Sequence, residues 1–218
     1  MNVSDAVNLR KSVRAFIDKP VLDSDISAIL KKASRSPSGG NLQPWRIYVI
    51  NGKSMVRFLK FQNSWSGDNV PEYEIYPNKL QEPYRTSRYE LGEEMYSLLG
   101  ISKEDKEGRI GQVLKNFNFF NAPAGLFCFI DRNMGHPQWS DLGMFLQTFM
   151  LLATEKGLST CSQEAWSIKP QCVSNFVNAP ENLMLFCGMA IGYEDKNSPV
   201  NTLRSSRRPL EDWVSFLP

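Results

Sequence analysis

The sequence has few of the residues that mark metal sites and disulfide scaffolds. It contains one histidine and four cysteines in 218 residues, and Cys128, Cys161, Cys172 and Cys187 form no C-x-x-C pair. Because zinc sites usually combine closely spaced Cys and His, no metal centre is expected. The scattered cysteines argue against a disulfide framework and favour reduced, mostly buried thiols in a cytoplasmic protein.

Long apolar runs and a secretory leader are also missing. The opening MNVSDAVNLRKSVRAF has an early acidic residue and no apolar run behind its basic residues, unlike a signal peptide. No window approaches the ~18 consecutive apolar residues of a membrane span. We therefore expect no membrane partner.

Composition and length are those of a globular protein. Hydrophobic residues make up 42% and charged residues 22% of the chain, which is an ordinary balance for a folded domain. No repeat or low-complexity linker divides the chain, so residues 1–218 are expected to form one domain.

The small net charge of +2 hides an uneven distribution. Residues 1–60 contain eleven Lys or Arg but only four Asp and no Glu. This local excess favours an anionic ligand near the N-terminal segment, and a solvated basic face is the alternative. Nucleic acid is not expected, because no broad basic stripe with interleaved aromatic residues is present.

Apolar periodicity predicts a mixture of helices and strands, and hence the α+β class. Helices are predicted at ISAILKKA, RYELGEEMYSLLG, SKEDKEGRIGQVLKNF, SDLGMFLQTFMLLATEKGLS and KPQCVSNFV, and strands at WRIYVIN, AGLFCFID and NLMLFCGMAIGY. Asp23 or Ser24 is expected to cap the first helix, and a capping box from Ser102 to Asp105 the third. The C-terminal tail is expected to be strand-like or arm-like.

Residues 60–85 show no clean period and contain three prolines. Long ordered loops are usually functional, so this excursion is predicted to be a lid or binding loop. Its aromatic residues are interpreted either as a wall of a binding site or as packing: Trp65, Tyr73, Tyr76 and Tyr84.

Two short motifs carry the chemistry. In RKSVRAF, Arg10, Ser12 and Arg14 would share one face of an extended segment and could grip a phosphate; Arg204, Arg207 and Arg208 would approach from the other end of the chain. The alternative is two unrelated basic surface segments.

In PSGGNLQPW, the glycines allow close backbone approach, and Asn41 and Gln43 complement a ring edge that alternates acceptors and donors, such as the pyrimidine edge of a flavin. The alternative is a turn whose polar side chains satisfy only their own backbone.

Taken together, these stretches resemble the FMN-dependent nitroreductase family. The stretches that match, in family order, are RKSVRAF, PSGGNLQPW, FFNAPAGLFCFID, SDLGMFLQTFMLLATEKGLSTCSQEAW and IGYEDKNSPVNTLRSSRRPLEDWVSF. The resemblance implies an α+β fold with a mixed sheet flanked by helices, and a homodimer formed with a C-terminal arm. It also implies one FMN per subunit, bound at the interface between the two subunits.

The resemblance further implies where FMN binds. Arg10, Ser12 and either Arg204 or Arg207 would hold its phosphate, with Lys11 where many relatives have a second Arg, and Arg14 would lie near flavin N1 and O2. The remaining cofactor-binding residues it implies are Pro37, Ser38, Asn41, Gln43, Asn116, Gln163 and Glu164.

The implied reaction is a two-step shuttle in which NAD(P)H delivers a hydride to flavin N5 and a nitroaromatic or quinone then takes two electrons. No side chain is expected to act as acid, base or nucleophile; His136 is predicted to be a loop residue and Cys161 to be structural. Two alternatives are a sister flavin activity, such as reductive dehalogenation or oxidation of a cyclic intermediate, and an FMN-binding protein without turnover.

Overall fold

The protein is built from seven α-helices around a five-stranded sheet, and the computed structural model describes residues 1–218. The helices are α1 (Val3–Leu9), α2 (Asp23–Ala33), α3 (Lys53–Asn63), α4 (Tyr84–Leu98), α5 (Lys106–Leu114), α6 (His136–Glu155) and α7 (Pro170–Val177). The strands are β1 (Phe16–Ile17), β2 (Arg46–Asn51), β3 (Ala124–Asp131), β4 (Ser159–Gln163) and β5 (Leu183–Glu194). The predicted α+β class is confirmed.

The longest strand, β5, organises the sheet. It pairs antiparallel with β1, β3 and β4, and β2 pairs antiparallel with the other side of β3. Ala190 of β5 lies opposite Gly125 of β3 and Cys161 of β4. The one parallel contact is an isolated bridge between Ser12 and Thr160, which ties the N-terminal segment to β4.

Helices cover both faces of the sheet, and the alternation of β3 shows why. Leu126 and Ile130 belong to a largely aliphatic core that includes residues of α2 and α6. Phe127 and Phe129 point to the opposite, aromatic core, in which Trp166 is fully buried. Because successive strand residues face opposite sides, the continuous apolar run of β3 supplies both cores.

The predicted apolar face of α6 is buried, whereas α4 has no buried residue and the predicted caps are wrong. In α6, Leu142, Phe145, Leu146, Phe149 and Ala153 are buried. Leu22 occupies the N-cap of α2 and makes no side-chain capping bond. Asp105, not Ser102, caps α5 by accepting the Gly108 N–H at 2.8 Å. None of the helices combines the length and apolar character that crossing a bilayer requires.

The excursion at 60–85 is shorter than its sequence indicates. Helix α3 was not predicted and occupies its first residues, and α4 begins at Tyr84. The hydroxyl of Tyr73 donates to the Phe186 carbonyl, and its ring packs edge-on against Trp139 at 5.2 Å. Glu72 pairs with Arg132 at 2.7 Å. The first part of the irregular segment is therefore docked on the domain, while residues 76–79 are exposed.

Candidate functional site

A basic cradle forms where the N-terminal segment crosses β4. The Val13 N–H donates to the Thr160 carbonyl at 3.0 Å and holds the segment extended between α1 and β1. A cavity of about 320 Å³ opens beside it. Its polar lining includes Arg10, Ser12 and Arg14 from this segment and Arg204 and Arg207 from the C-terminal region. The two ends of the chain thus meet as the motif predicted.

The four arginines of the cradle have no counterions within the chain. None of the protein's ion pairs includes Arg10, Arg14, Arg204 or Arg207. The pKa of Arg10 is lowered, first by burial and then by the charges of Arg207 and Arg204. Guanidinium groups crowded together without a carboxylate suit a doubly charged, multi-oxygen anion such as phosphate.

Asn201 fastens the cradle and was missed by the sequence analysis. It is 2% exposed; its Oδ1 accepts the Arg14 N–H at 2.8 Å, and its Nδ2 donates to the carbonyls of Ala15 at 2.8 Å and Asp195 at 2.9 Å. A buried side chain that satisfies three backbone groups at distant positions fixes their relative placement. No periodicity or motif in the sequence signals such a contact.

Lys11 is already paired within the chain. Its ammonium lies 2.7 Å from Glu194 Oε1 and donates to the Asn201 carbonyl at 2.5 Å. The side chain lines the cradle cavity, but its charge is largely balanced by Glu194. This contact joins the N-terminal segment to the end of β5.

Arg204 and Arg207 differ in what they bind. The guanidinium of Arg204 donates to the carbonyls of Asn8, Leu9 and Arg10, at the end of α1. Arg207 donates only to its neighbours Ser205 and Ser206. Arg207 therefore has the fewer ties to the rest of the fold, while Arg204 satisfies carbonyls that α1 leaves unpaired.

The loop at 36–43 has the unusual backbone that its glycines and amides allow. Positive φ angles occur at Gly40 (56°), Asn41 (58°) and Gln43 (48°). Ser38 Oγ accepts the Gln43 N–H at 3.0 Å, and Gln43 Nε2 donates to Asn41 Oδ1 at 3.2 Å. Pro37 precedes Ser38, which is the N-cap of the Gly39–Asn41 turn. Asn41 Nδ2 and Gln43 Oε1 make no bond within the chain, which leaves one donor and one acceptor for a ligand.

Helix α6 holds this loop at both ends. The N–H of Gly39 points at the carboxylate of Asp141, 3.3 Å from Oδ1 and 3.2 Å from Oδ2. Trp45, at the end of the loop, stacks on Phe145 with ring centroids 4.8 Å apart. Asp141 and Phe145 are four residues apart and so share a face of α6. Neither Asp141 nor Trp45 is among the site residues predicted from the sequence.

The end of β4 forms a third cluster with Asn116. Gln163 is buried, and its Nε2 donates to the Asn116 carbonyl at 2.7 Å while its Oε1 accepts from Trp166 Nε1 at 3.4 Å. Asn116 Nδ2 donates to the Val113 carbonyl at 2.9 Å. Both side chains are thus engaged within the chain. Glu164 retains solvent exposure, yet the surrounding protein removes enough water to raise the pKa of its carboxyl.

His136 and the cysteines were predicted to take no part in catalysis. His136 is exposed and is the first residue of α6. The prediction that it lies in a loop is therefore wrong. All four cysteines are buried and unpaired, as expected. Burial raises the pKa of the Cys161 thiol, with Arg14 and Arg10 opposing the shift. A neutral, enclosed thiol is a poor nucleophile.

Comparison with known proteins identifies the family and the fold. Residues 7–193 match the Nitroreductase family. The 4-nitrobenzoate reductase of Pseudomonas putida is 36% identical over 95% of this chain and 92% of its own. The structure superposes on the FMN and NADPH-dependent nitroreductase NfnB from Sphigopyxis sp. strain HMH with a TM-score of 0.95, at 39% identity and full coverage of both chains. It also superposes on NfnB from Mycobacterium smegmatis in complex with NADPH, with a TM-score of 0.90, 25% identity and full coverage of both chains. This chain belongs to the nitroreductase family.

Proposed function

We propose that this protein is an FMN-dependent oxidoreductase that uses NAD(P)H to reduce nitroaromatic or quinone-like acceptors. Its family membership and the activities of its relatives, a 4-nitrobenzoate reductase and an FMN and NADPH-dependent nitroreductase, support this assignment. When bound, FMN supplies the redox chemistry, taking a hydride at N5 and passing two electrons to the acceptor. The protein would bind and orient FMN and set the charge around it.

The observation that carries the proposal is the cluster of arginines without carboxylate partners around the cradle cavity. Arg10, Ser12 and Arg207 would hold the FMN phosphate, because guanidinium forks match paired phosphate oxygens. Arg204 and Lys11 would stabilise the cradle instead. Arg204 does so through its contact with α1, and Lys11 through its ion pair with Glu194. This choice assigns the phosphate contact to Arg207 rather than Arg204.

The ring end of the cofactor would be bound by backbone and amide groups. Arg14 would place its positive charge beside N1 and O2, where negative charge develops on reduction. Asn41 and Gln43 would offer their free amide donor and carbonyl acceptor to the pyrimidine edge. The remaining lining residues in this proposal are Pro37, Ser38, Asn116, Gln163 and Glu164.

A second subunit would complete this site. The cradle cavity is lined by none of residues 36–43, so a cradle and a loop that contact one FMN would come from two copies of the chain. The C-terminal arm exposes large apolar side chains, including Trp213 (63%), Phe216 (87%) and Leu217 (88%), which a second copy would cover. We propose a homodimer of single 1–218 domains in the cytoplasm, where the four thiols would stay reduced.

The visible absorption spectrum of the purified protein tests the function. Flavin bands should bleach when NADH or NADPH is added anaerobically and should return on addition of 4-nitrobenzoate or a quinone. Bands that never bleach would instead support the non-catalytic flavoprotein, and bleaching with no recovery on any nitroaromatic or quinone would support a sister activity. A colourless protein that takes up no FMN would refute the proposal.

A further inference from the structure

We propose that Asp141 is a positioning residue that holds the 36–43 loop in the conformation in which it meets the flavin ring. The inference deepens the proposed function and rests on it, since it assigns the loop to the ring end of FMN. Asp141 itself would not touch the cofactor.

Asp141 is a buried acidic residue with few partners. It lies on α6 at 4% exposure and belongs to none of the ion pairs in the protein. Its only hydrogen-bond partner is the Gly39 N–H. A buried carboxylate is costly unless it accepts hydrogen bonds, so this single backbone donor couples the loop strongly to the helix.

The 36–43 loop has a strained backbone that needs support. Gly39 begins a short 3₁₀ turn, Gly39–Asn41, that continues through positive φ at Gly40, Asn41 and Gln43. Non-glycine residues at positive φ are strained and persist only where neighbouring contacts hold them. Asp141 holds the first N–H of this turn, and the Trp45 ring on Phe145 holds the other end. The free groups of Asn41 and Gln43 are thereby aimed by α6.

The hydrogen bond can be removed from either side. Asp141→Ala deletes the acceptor, whereas Asp141→Asn keeps an oxygen acceptor of the same shape. Gly39→Pro deletes the donor, and the extended Ser38 (φ −149°, ψ 147°) already has the backbone that a following proline requires. Gly39→Ala is its control, because a Cβ there would meet nothing closer than Asp141 Oδ2 at 4.0 Å. Glu155→Gln removes another carboxylate from α6, away from the loop.

The readouts are equilibrium dialysis of each purified variant against FMN and, separately, riboflavin, with hydrogen exchange at the Gly39 amide. Asp141→Ala and Gly39→Pro should weaken both flavins by the same factor, about ten-fold or more. Asp141→Asn should recover most of the affinity, and Glu155→Gln should match the unaltered protein. Gly39→Ala, which keeps the N–H, should bind both flavins more tightly than Gly39→Pro. Arg10→Ala should weaken FMN alone, because riboflavin has no phosphate. The Gly39 amide should exchange faster in Asp141→Ala.

Wild-type flavin affinity in both Asp141→Ala and Gly39→Pro would overturn the inference, as would unchanged exchange at Gly39. If Asp141→Ala does not fold, the Gly39→Pro and Gly39→Ala pair decides the question alone. Unaltered protein that binds neither flavin would refute the proposed function instead, and the exchange at Gly39 would still report whether Asp141 holds the loop.

Discussion

The cradle and the 36–43 loop are held in place by different kinds of contact. The cradle is fixed by several long-range contacts, centred on the buried Asn201, that join the two ends of the chain. The loop is fixed by one buried carboxylate and one aromatic stack on a single helix. Loss of the Asn201 contacts should therefore affect folding and FMN binding together, whereas loss of the loop contacts should mainly affect binding.

The largest expected effect comes from Asn201→Ala. This substitution leaves the Arg14 N–H and the carbonyls of Ala15 and Asp195 without their buried partner. Each such group costs about 1–3 kcal/mol when stranded, so the free energy of unfolding should fall by at least about 2 kcal/mol. Urea unfolding measures this fall, and dialysis against FMN should show reduced occupancy. A normal unfolding midpoint would show that the cradle does not depend on Asn201.

The next effect separates two arginines of the cradle. Arg207→Ala should weaken FMN binding by about ten-fold or more, the range of a lost charge-assisted contact, with unchanged stability. Arg204→Ala should instead lower the free energy of unfolding by about 1 kcal/mol, because it strands the carbonyls at the end of α1. Dialysis against FMN and urea unfolding of both variants give the comparison. The reverse pattern would assign the phosphate to Arg204.

The smallest effect concerns Glu164, which directly follows β4. Its pKa is raised by burial above the ordinary 4.5, so the folded chain holds this proton more tightly than the unfolded chain does. The stabilisation is complete below pH 4.5 and is lost as the pH rises through the raised pKa. Glu164→Gln should remove this decline from the pH dependence of urea unfolding. An identical decline in both proteins would place its origin elsewhere.

The fold was largely predictable where side-chain pattern alone decides the element. The apolar run of β3 and the periodic face of α6 predict their structures because burial on two faces, or on one stripe, requires those residues. The same rules missed α3, which follows Gly52 directly, and misplaced the caps of α2 and α5. Caps and short helices depend on a few hydrogen bonds, and several local sequences satisfy those equally well.

The sequence by itself determined the kinds of group in the site: alternating Arg10, Ser12 and Arg14 for an anion, and a glycine-softened amide loop for a ring edge. Only the tertiary structure decided that Arg204 is bound to α1 while Arg207 is not, and that Asn201 and Asp141 hold the two halves of the site. The physical reason is distance along the chain. Residue types and short spacings are local properties, whereas the contacts of Asp141 with Gly39, of Asn201 with Arg14 and of Arg204 with α1 join positions that are 102 to 196 residues apart and exist only once the sheet and α6 have packed.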